Sequence, residues 1–198
     1  DGFEFSDNSV RLWTKNRRPQ AGNQIGVDLT RNWNAQWAVH GGSFNPADAD
    51  FIGIGPFSEP ETRGLSSYIE SIGHNLAGVL SFRGFGQRLI IPFAHTTEPM
   101  YNFDEMITIG RRSMGSLSVK YGTQYVVGNS ATVHDGATGA LVDWAKYRFR
   151  PPVAATFMLR DNIGWGHLLP IVQVLPSCEE TFDAVMAIIR EAKFINVL

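Results

Sequence analysis

TFMLRDNIGWGHLLP, residues 156–170, is the stretch whose reading decides the fold. The nearly unbroken apolar run over 154–159 is closed off by Pro151-Pro152 before it and Asp161-Asn162 after it. Its length, its bounding turn residues and its lack of alternation predict a buried strand inside a sheet. Arg160-Asp161 then brings charge to the end of that strand, and the open end of an α/β sheet is where such folds place ligands.

Downstream, Ser177 to Glu180 reads as a capping box opening a helix, with Phe182, Val185, Ile188, Ile189 and Ala192 as its buried stripe. Upstream, a second capping box starts at Ser58, carries Pro60 in its first turn, and is followed by Leu65, Tyr68, Ile69 and Ile72 on one face. That predicts a helix ending at Gly73. Strands are expected over 76–82 and 87–93, on either side of Arg83-Gly84-Phe85-Gly86, and a shorter one over 125–128. Between them 101–121 repeats its apolar residues at helical spacing, in spite of two glycines that each cost about 1 kcal/mol against Ala. Residues 130–140 read as a covering loop. Residues 1–18 read as a polar segment in which only Arg11-Leu12-Trp13 packs, 25–33 as an irregular piece turning polar side chains toward a cleft, and 37–56 as a long surface loop. Helices and strands alternate, so the fold class is α/β, in a single domain over 1–198.

Composition narrows the function. Of 198 residues, 43% are hydrophobic, and 17 basic against 19 acidic residues leave a net charge of -2, which offers no pull on nucleic acid or anionic membrane. Lys15-Asn16-Arg17-Arg18 is the one basic run and reads as a solvated loop. No apolar stretch approaches the ~18 residues of a membrane span. His40, His74, His95, His134 and His167 lack metal-ligand spacing, and His167 reads as core-adjacent. The single Cys178 permits no internal disulfide and reads as an inert thiol. Gly128-Asn129-Ser130-Ala131-Thr132 misses the nucleophile-elbow pattern at its last position, so serine chemistry has no support.

Five blocks taken together are more specific. GVDLTRNW at 26–33, LSFRGFGQRLIIPF at 80–93, YGTQYVVG at 121–128, LVDWAKY at 141–147 and FMLRDNIGWGHLLPIVQVLPSCEETF at 157–182 occur in the order and spacing of the zinc metallocarboxypeptidases of the pancreatic carboxypeptidase A type, which the chain resembles along essentially its whole length. Asp1-Gly2-Phe3 and Arg11-Leu12-Trp13 match further segments of that family. The resemblance implies a mixed, mostly parallel twisted sheet flanked by helices, with the site at one end of the strands. It also implies the secretory route, and that the chain is the C-terminal portion of such a domain. A precursor cut just before Asp1, whose N-terminal piece stays docked as a separate polypeptide and completes the sheet, is the expected arrangement.

The family's chemistry uses a zinc ion held by H-x-x-E and a later His, a Glu that deprotonates the zinc-bound water, and an Arg at the oxyanion. The H-x-x-E would precede Asp1. The later His corresponds to Arg83, whose guanidinium has no lone pair for a metal. The Glu corresponds to Met158, which cannot accept a proton, and the oxyanion Arg to Thr14. Of the Asn-Arg pair that holds the substrate's terminal carboxylate, Thr30 replaces Asn and Arg31 matches Arg. The mobile Tyr falls near His134 and Asp135, and Val142 falls where the side-chain pocket is shaped. The resemblance therefore implies an inactive carboxypeptidase-like protein without a cofactor, in a structural, storage or carboxylate-binding role, with a peptide C-terminal carboxylate as its expected small partner. The alternative is an active secreted zinc metallocarboxypeptidase.

Overall fold

In the computed structural model, which describes residues 1–162 and 164–198, the run read as a buried strand forms β4, Val153–Met158. It lies inside a four-stranded sheet with β1 (Gly78–Arg83), β2 (Arg88–Ile91) and β3 (Val126–Asn129), in the order β1-β4-β2-β3. The β1–β4 and β2–β3 pairs are parallel and the β2–β4 pair antiparallel, so the sheet is mixed and mostly parallel as expected. The described residues group into two compact units. The sheet belongs to the unit of Ala77–Asp135 with Arg150–Leu198.

On one face of β4, Val153, Ala155 and Phe157 join Leu89 and Ile91 of β2 in a core closed by α3 (Phe103–Tyr121) and α6 (Val174–Phe194). Helix α3 contributes Met106, Ile109, Met114 and Leu117, and α6 contributes Ala184, Ile188 and Ala192. Gly110, a cost when judged by propensity, is what lets α3 approach: a Cβ there would lie 2.7 Å from Val127 Cγ1 and 3.0 Å from Leu89 Cδ2. Gly122, at φ 70°, ends the helix in the left-handed conformation with its N–H on the Ser118 carbonyl.

Helix α6 departs from the expected start. It begins at Val174, with Pro176 in its first turn, so Ser177 and Glu180 lie within the helix and form no capping box. Its buried face is Ser177, Glu180, Ala184, Ala187, Ile188 and Ala192, whereas Phe182 and Ile189 are exposed. Small alanines allow close packing on α3, and the buried Glu180 has an arginine partner, so these two demands set the helix rotation rather than the largest apolar side chains.

The other unit comprises Asp1–Leu76 and Gly136–Phe149. It opens with α1, Gly2–Asn8, where a loop was expected; Asp1 accepts from the Gly2 N–H at 2.6 Å. Leu12 is exposed, and of the Arg11-Leu12-Trp13 segment only Trp13 packs, edge-on to Phe5 at 5.3 Å. The basic run is not a solvated loop. Lys15 is buried and donates to the carbonyls of Pro46 and Asp48 at 2.8 and 2.9 Å, and burial lowers its pKa. Asn16 donates to Glu59 at 2.8 Å, Arg17 lies 3.6 Å over the Phe5 ring, and Arg18 donates to the Ser58 carbonyl and to Glu59.

The irregular segments are organised by side chains rather than by strands. Fully buried Asn32 donates to the carbonyls of Ile52 and Gly55 and accepts from Thr62 Oγ1 at 2.8 Å. Helix α2, Pro60–Ile72, has Glu59 at its N-cap without a side-chain cap bond, because the Ser58 hydroxyl donates to the Glu59 carboxylate instead. Its buried face is Thr62, Ser66 and Ile69; Leu65, Tyr68 and Ile72 are exposed, because the Thr62–Asn32 bond turns the polar side inward. Trp33, Phe57, Trp144 and Phe149, the last two on α5 (Leu141–Phe149), pack at centroid separations of 5.3–5.7 Å.

Candidate functional site

Strand β4 ends at Met158, which is buried at 5% exposure. Register sets it beside Arg83 of β1 on one side and Arg88 of β2 on the other. Side chains alternate along a strand, and Phe82 stacks on Phe157 at 5.1 Å on one face, so Arg83, Met158 and Arg88 share the other. The Arg83 carbonyl accepts from the Leu159 N–H at 2.7 Å, which holds the two strand ends level. Gly86, at φ +136°, makes room for the third member: a Cβ there would lie 2.7 Å from Arg88 Nη1 and 3.7 Å from Met158 Cβ. The Arg88 guanidinium is thus folded across the turn toward Met158. The sequence reading singled out Arg83 and Met158 and missed Arg88, because its membership depends on antiparallel pairing that no local pattern encodes.

The charges expected at the sheet's lip are committed elsewhere. Arg160 Nε donates to Glu180 Oε1 at 2.7 Å and its Nη2 pairs with Glu180 Oε2; Nη2 also donates to Thr123 Oγ1 at 2.8 Å, and Nη1 donates to Gln173 Oε1 at 2.5 Å. The bond to Glu180 raises the Arg160 pKa. Asp161 accepts the backbone N–H groups of Gly164, Trp165 and Gly166 at 2.7–2.8 Å. These bonds, that of Trp165 foremost, hold its carboxyl below the ordinary carboxylate value. Both residues tie chain segments together. His167 is exposed rather than core-adjacent, its ring edge-on to Phe85 at 5.0 Å, because the tight Gly164–Gly166 turn carries it outward. Residues 130–140 open with a helical turn, α4 (Ser130–Val133), capped by Asn129. His134 follows it, with Nε2 3.3 Å from Asp135 Oδ1.

Thr30, Arg31, Thr14 and Val142 lie in the other unit. Buried Asp28 joins the first two: Oδ1 accepts from the Thr30 N–H at 2.9 Å and hydroxyl at 2.7 Å, and Oδ2 pairs with Arg31 Nη1. Two glycines leave room around Arg31, since a Cβ on Gly139 would lie 2.3 Å from its backbone O and one on Gly42 3.3 Å from its Cδ. Arg31 is thereby fixed in direction, with Asp28 already meeting part of its charge. Thr14 is exposed and lines an open hollow of about 400 Å³ with Lys15, Asn16, Leu29 and Glu61. Val142 is buried on α5.

The residues at this end of the sheet do not fit a zinc ion. The position matched to a ligand carries a guanidinium, its neighbour across the ladder is a thioether, and a second guanidinium lies beyond; all three lack a basic lone pair for a hard or borderline cation. Among the described residues, no three His, Cys, Asp or Glu side chains are grouped to share a metal.

A mixed, mostly parallel sheet with helices on its core face, together with the ordered motif blocks along the chain, defines a carboxypeptidase-like α/β chain. The family model for zinc carboxypeptidases, peptidase M14, matches residues 1–184, and the chain belongs to that family. It is 40% identical over 192 residues to human carboxypeptidase O, covering 96% of this chain and 51% of that protein. It is 36% identical to a zinc carboxypeptidase of Simulium vittatum, covering 98% of this chain and 64% of the relative. Among solved structures, carboxypeptidase A from Helicoverpa armigera superposes with a TM-score of 0.87 at 26% identity, over 97% of this chain and 49% of that one. Bovine thrombin-activatable fibrinolysis inhibitor, solved in complex with a tick carboxypeptidase inhibitor, matches in fold with a TM-score of 0.92 at 24% identity, over 100% of this chain and 67% of that one. The chain spans about half the length of the human relative. No helix among the described residues is long and apolar enough to cross a membrane.

Proposed function

We propose that this protein has given up the family's hydrolytic chemistry and keeps the scaffold for a structural, storage or carboxylate-binding role, in a secretory or extracellular setting. The observation that carries this reading is the Arg83–Met158 pair, neighbours in register at the end of the sheet. Arginine in place of a ligand brings positive charge to where a cation would sit, and methionine in place of the base removes a contribution of roughly 10²–10⁴ in rate. Thr14 in place of the oxyanion arginine removes a donor whose loss costs about 10²–10³. These groups act as a unit in the family's reaction, so no single one compensates for the others. Arg31, aligned by Asp28, supports a remaining affinity for a peptide's terminal carboxylate, since a guanidinium offers paired donors to that shape.

The test is metal content and turnover of the native protein. Less than stoichiometric zinc, and no release of C-terminal aromatic or aliphatic residues from blocked dipeptides, is the expected result. One zinc per chain, with turnover abolished by chelation and restored by zinc, would overturn the reading in favour of an active carboxypeptidase, the activity named for its relatives. Binding of the same peptides as acids and as amides separates the remaining roles: preference for the acid supports carboxylate binding, and equal or absent binding supports a purely structural role.

A further inference from the structure

We propose that Arg83 and Arg88, on either side of Met158, form an oxyanion-binding site at the carboxyl end of β4 that takes a sulfate, a phosphate or a small carboxylate. The geometry starts from register. Adjacent strands lie about 4.8 Å apart, so two arginines flanking the same residue of a central strand have their Cα atoms about 10 Å apart, with side chains on one face. The residue between them is an apolar thioether that is 5% exposed. It offers no acceptor to either guanidinium and lowers the local dielectric, which strengthens attraction for an anion.

Arg88 is the more telling member. Its guanidinium is held over Gly86 toward Met158, is half-buried, and makes no hydrogen bond or ion pair with another described residue. Two acidic groups that follow β4 are committed elsewhere, Glu180 to Arg160 and Asp161 to three backbone amides. A planar fork of N–H donors matches the oxygens of carboxylate, sulfate and phosphate, and Arg83 adds a second positive charge on the same face. The inference rests on Arg83 and Arg88 alone and stands whether or not Arg31 holds a peptide carboxylate.

Isothermal titration of the whole protein with sodium sulfate, potassium phosphate, N-acetylphenylalanine and N-acetylphenylalanine amide, at ionic strength held constant with sodium chloride, tests it. Saturable binding of at least one of the three anions is expected, with the amide inert. Arg88→Gln should weaken that binding at least about tenfold, as loss of a charge-assisted contact does, while Arg63→Gln, at an exposed arginine of α2, leaves it unchanged. Among the described residues Arg88 has no partner to lose, so its variant should keep the parent's circular dichroism and melting midpoint. If N-acetylphenylalanine binds in an Arg88-dependent way, the natural ligand class is a carboxylate; if only sulfate or phosphate does, it is an inorganic or ester oxyanion. No saturable binding of any anion, binding untouched by Arg88→Gln and by Arg83→Gln, or binding lost only in Arg31→Gln would each overturn the proposal.

Discussion

Replacing Arg160 with methionine should cost the sheet unit about 3–5 kcal/mol, the range for removing one partner of a buried ion pair. Glu180 is 0% exposed, and its two carboxylate oxygens accept from Arg160 Nε, from Arg160 Nη2 and from the Thr123 hydroxyl at 2.7 Å. Arg160→Met leaves that carboxylate with the Thr123 bond alone, and it also releases Gln173, which accepts from Nη1 just before α6 begins. The methionine stem can still cover the Tyr121 ring, which lies 5.3 Å from the guanidinium carbon, so the change isolates the polar loss from the packing. The double variant Arg160→Met, Glu180→Met removes the stranded charge and should recover most of the loss, because a pair replaced by apolar groups of similar volume is often near neutral. Urea unfolding followed by far-ultraviolet circular dichroism, dominated by α3 and α6, measures both variants against the parent. A single-variant cost under about 1 kcal/mol, or a double variant no more stable than Arg160→Met, would refute the claim that this network fixes the end of β4 against α6.

Three shorter tests bear on the site and its frame. Met158→Glu alone should give no measurable hydrolysis in a peptide-release assay: Arg83 and Thr14 remain, and a carboxylate set between Arg83 and Arg88 would be held ionised by their charge, which makes it a poor base. Gly139→Ala should lower the melting midpoint by the equivalent of more than about 1 kcal/mol, since φ is +85° and the new Cβ would meet the Arg31 carbonyl at 2.3 Å; Gly64→Ala on exposed α2, with nothing within 4 Å, should instead stabilise by about 0.4–1 kcal/mol. The Asp161 carboxyl, followed by carbon NMR, should titrate below 3.8, because the ionised form holds three amides. A depressed carboxylate contributes stability above its unfolded value and loses it as pH falls through the folded one, so order in the turn after Asp161 should persist at pH 5 and fade only under more acid conditions.

Local pattern was enough for β4, for the extent of α3 and for the α/β class, because a run of apolar residues between prolines and an Asp-Asn pair has few other uses, and helical spacing persists through isolated glycines. The ordered blocks around Arg31, Arg83 and Met158 were likewise visible in one dimension, since each is a contiguous string. What the sequence could not decide is everything set by pairing across the chain. The capping boxes at Ser58 and Ser177 failed because their members are engaged elsewhere: the Ser58 hydroxyl donates to Glu59 and Glu61 accepts from Asn16 in one case, and Glu180 is held by Arg160 in the other. The same competition turned the exposed apolar residues of α2 and α6 outward: a buried hydrogen bond from Thr62 to Asn32, and close contact through alanines, outweighed burial of the larger side chains. The basic run at 15–18 looked solvated because charge alone marks it so, yet Lys15 is buried once carbonyls of a loop thirty residues on reach its ammonium. Arg88 became part of the site for the same reason, since only the antiparallel register of β2 on β4 brings its side chain to Met158.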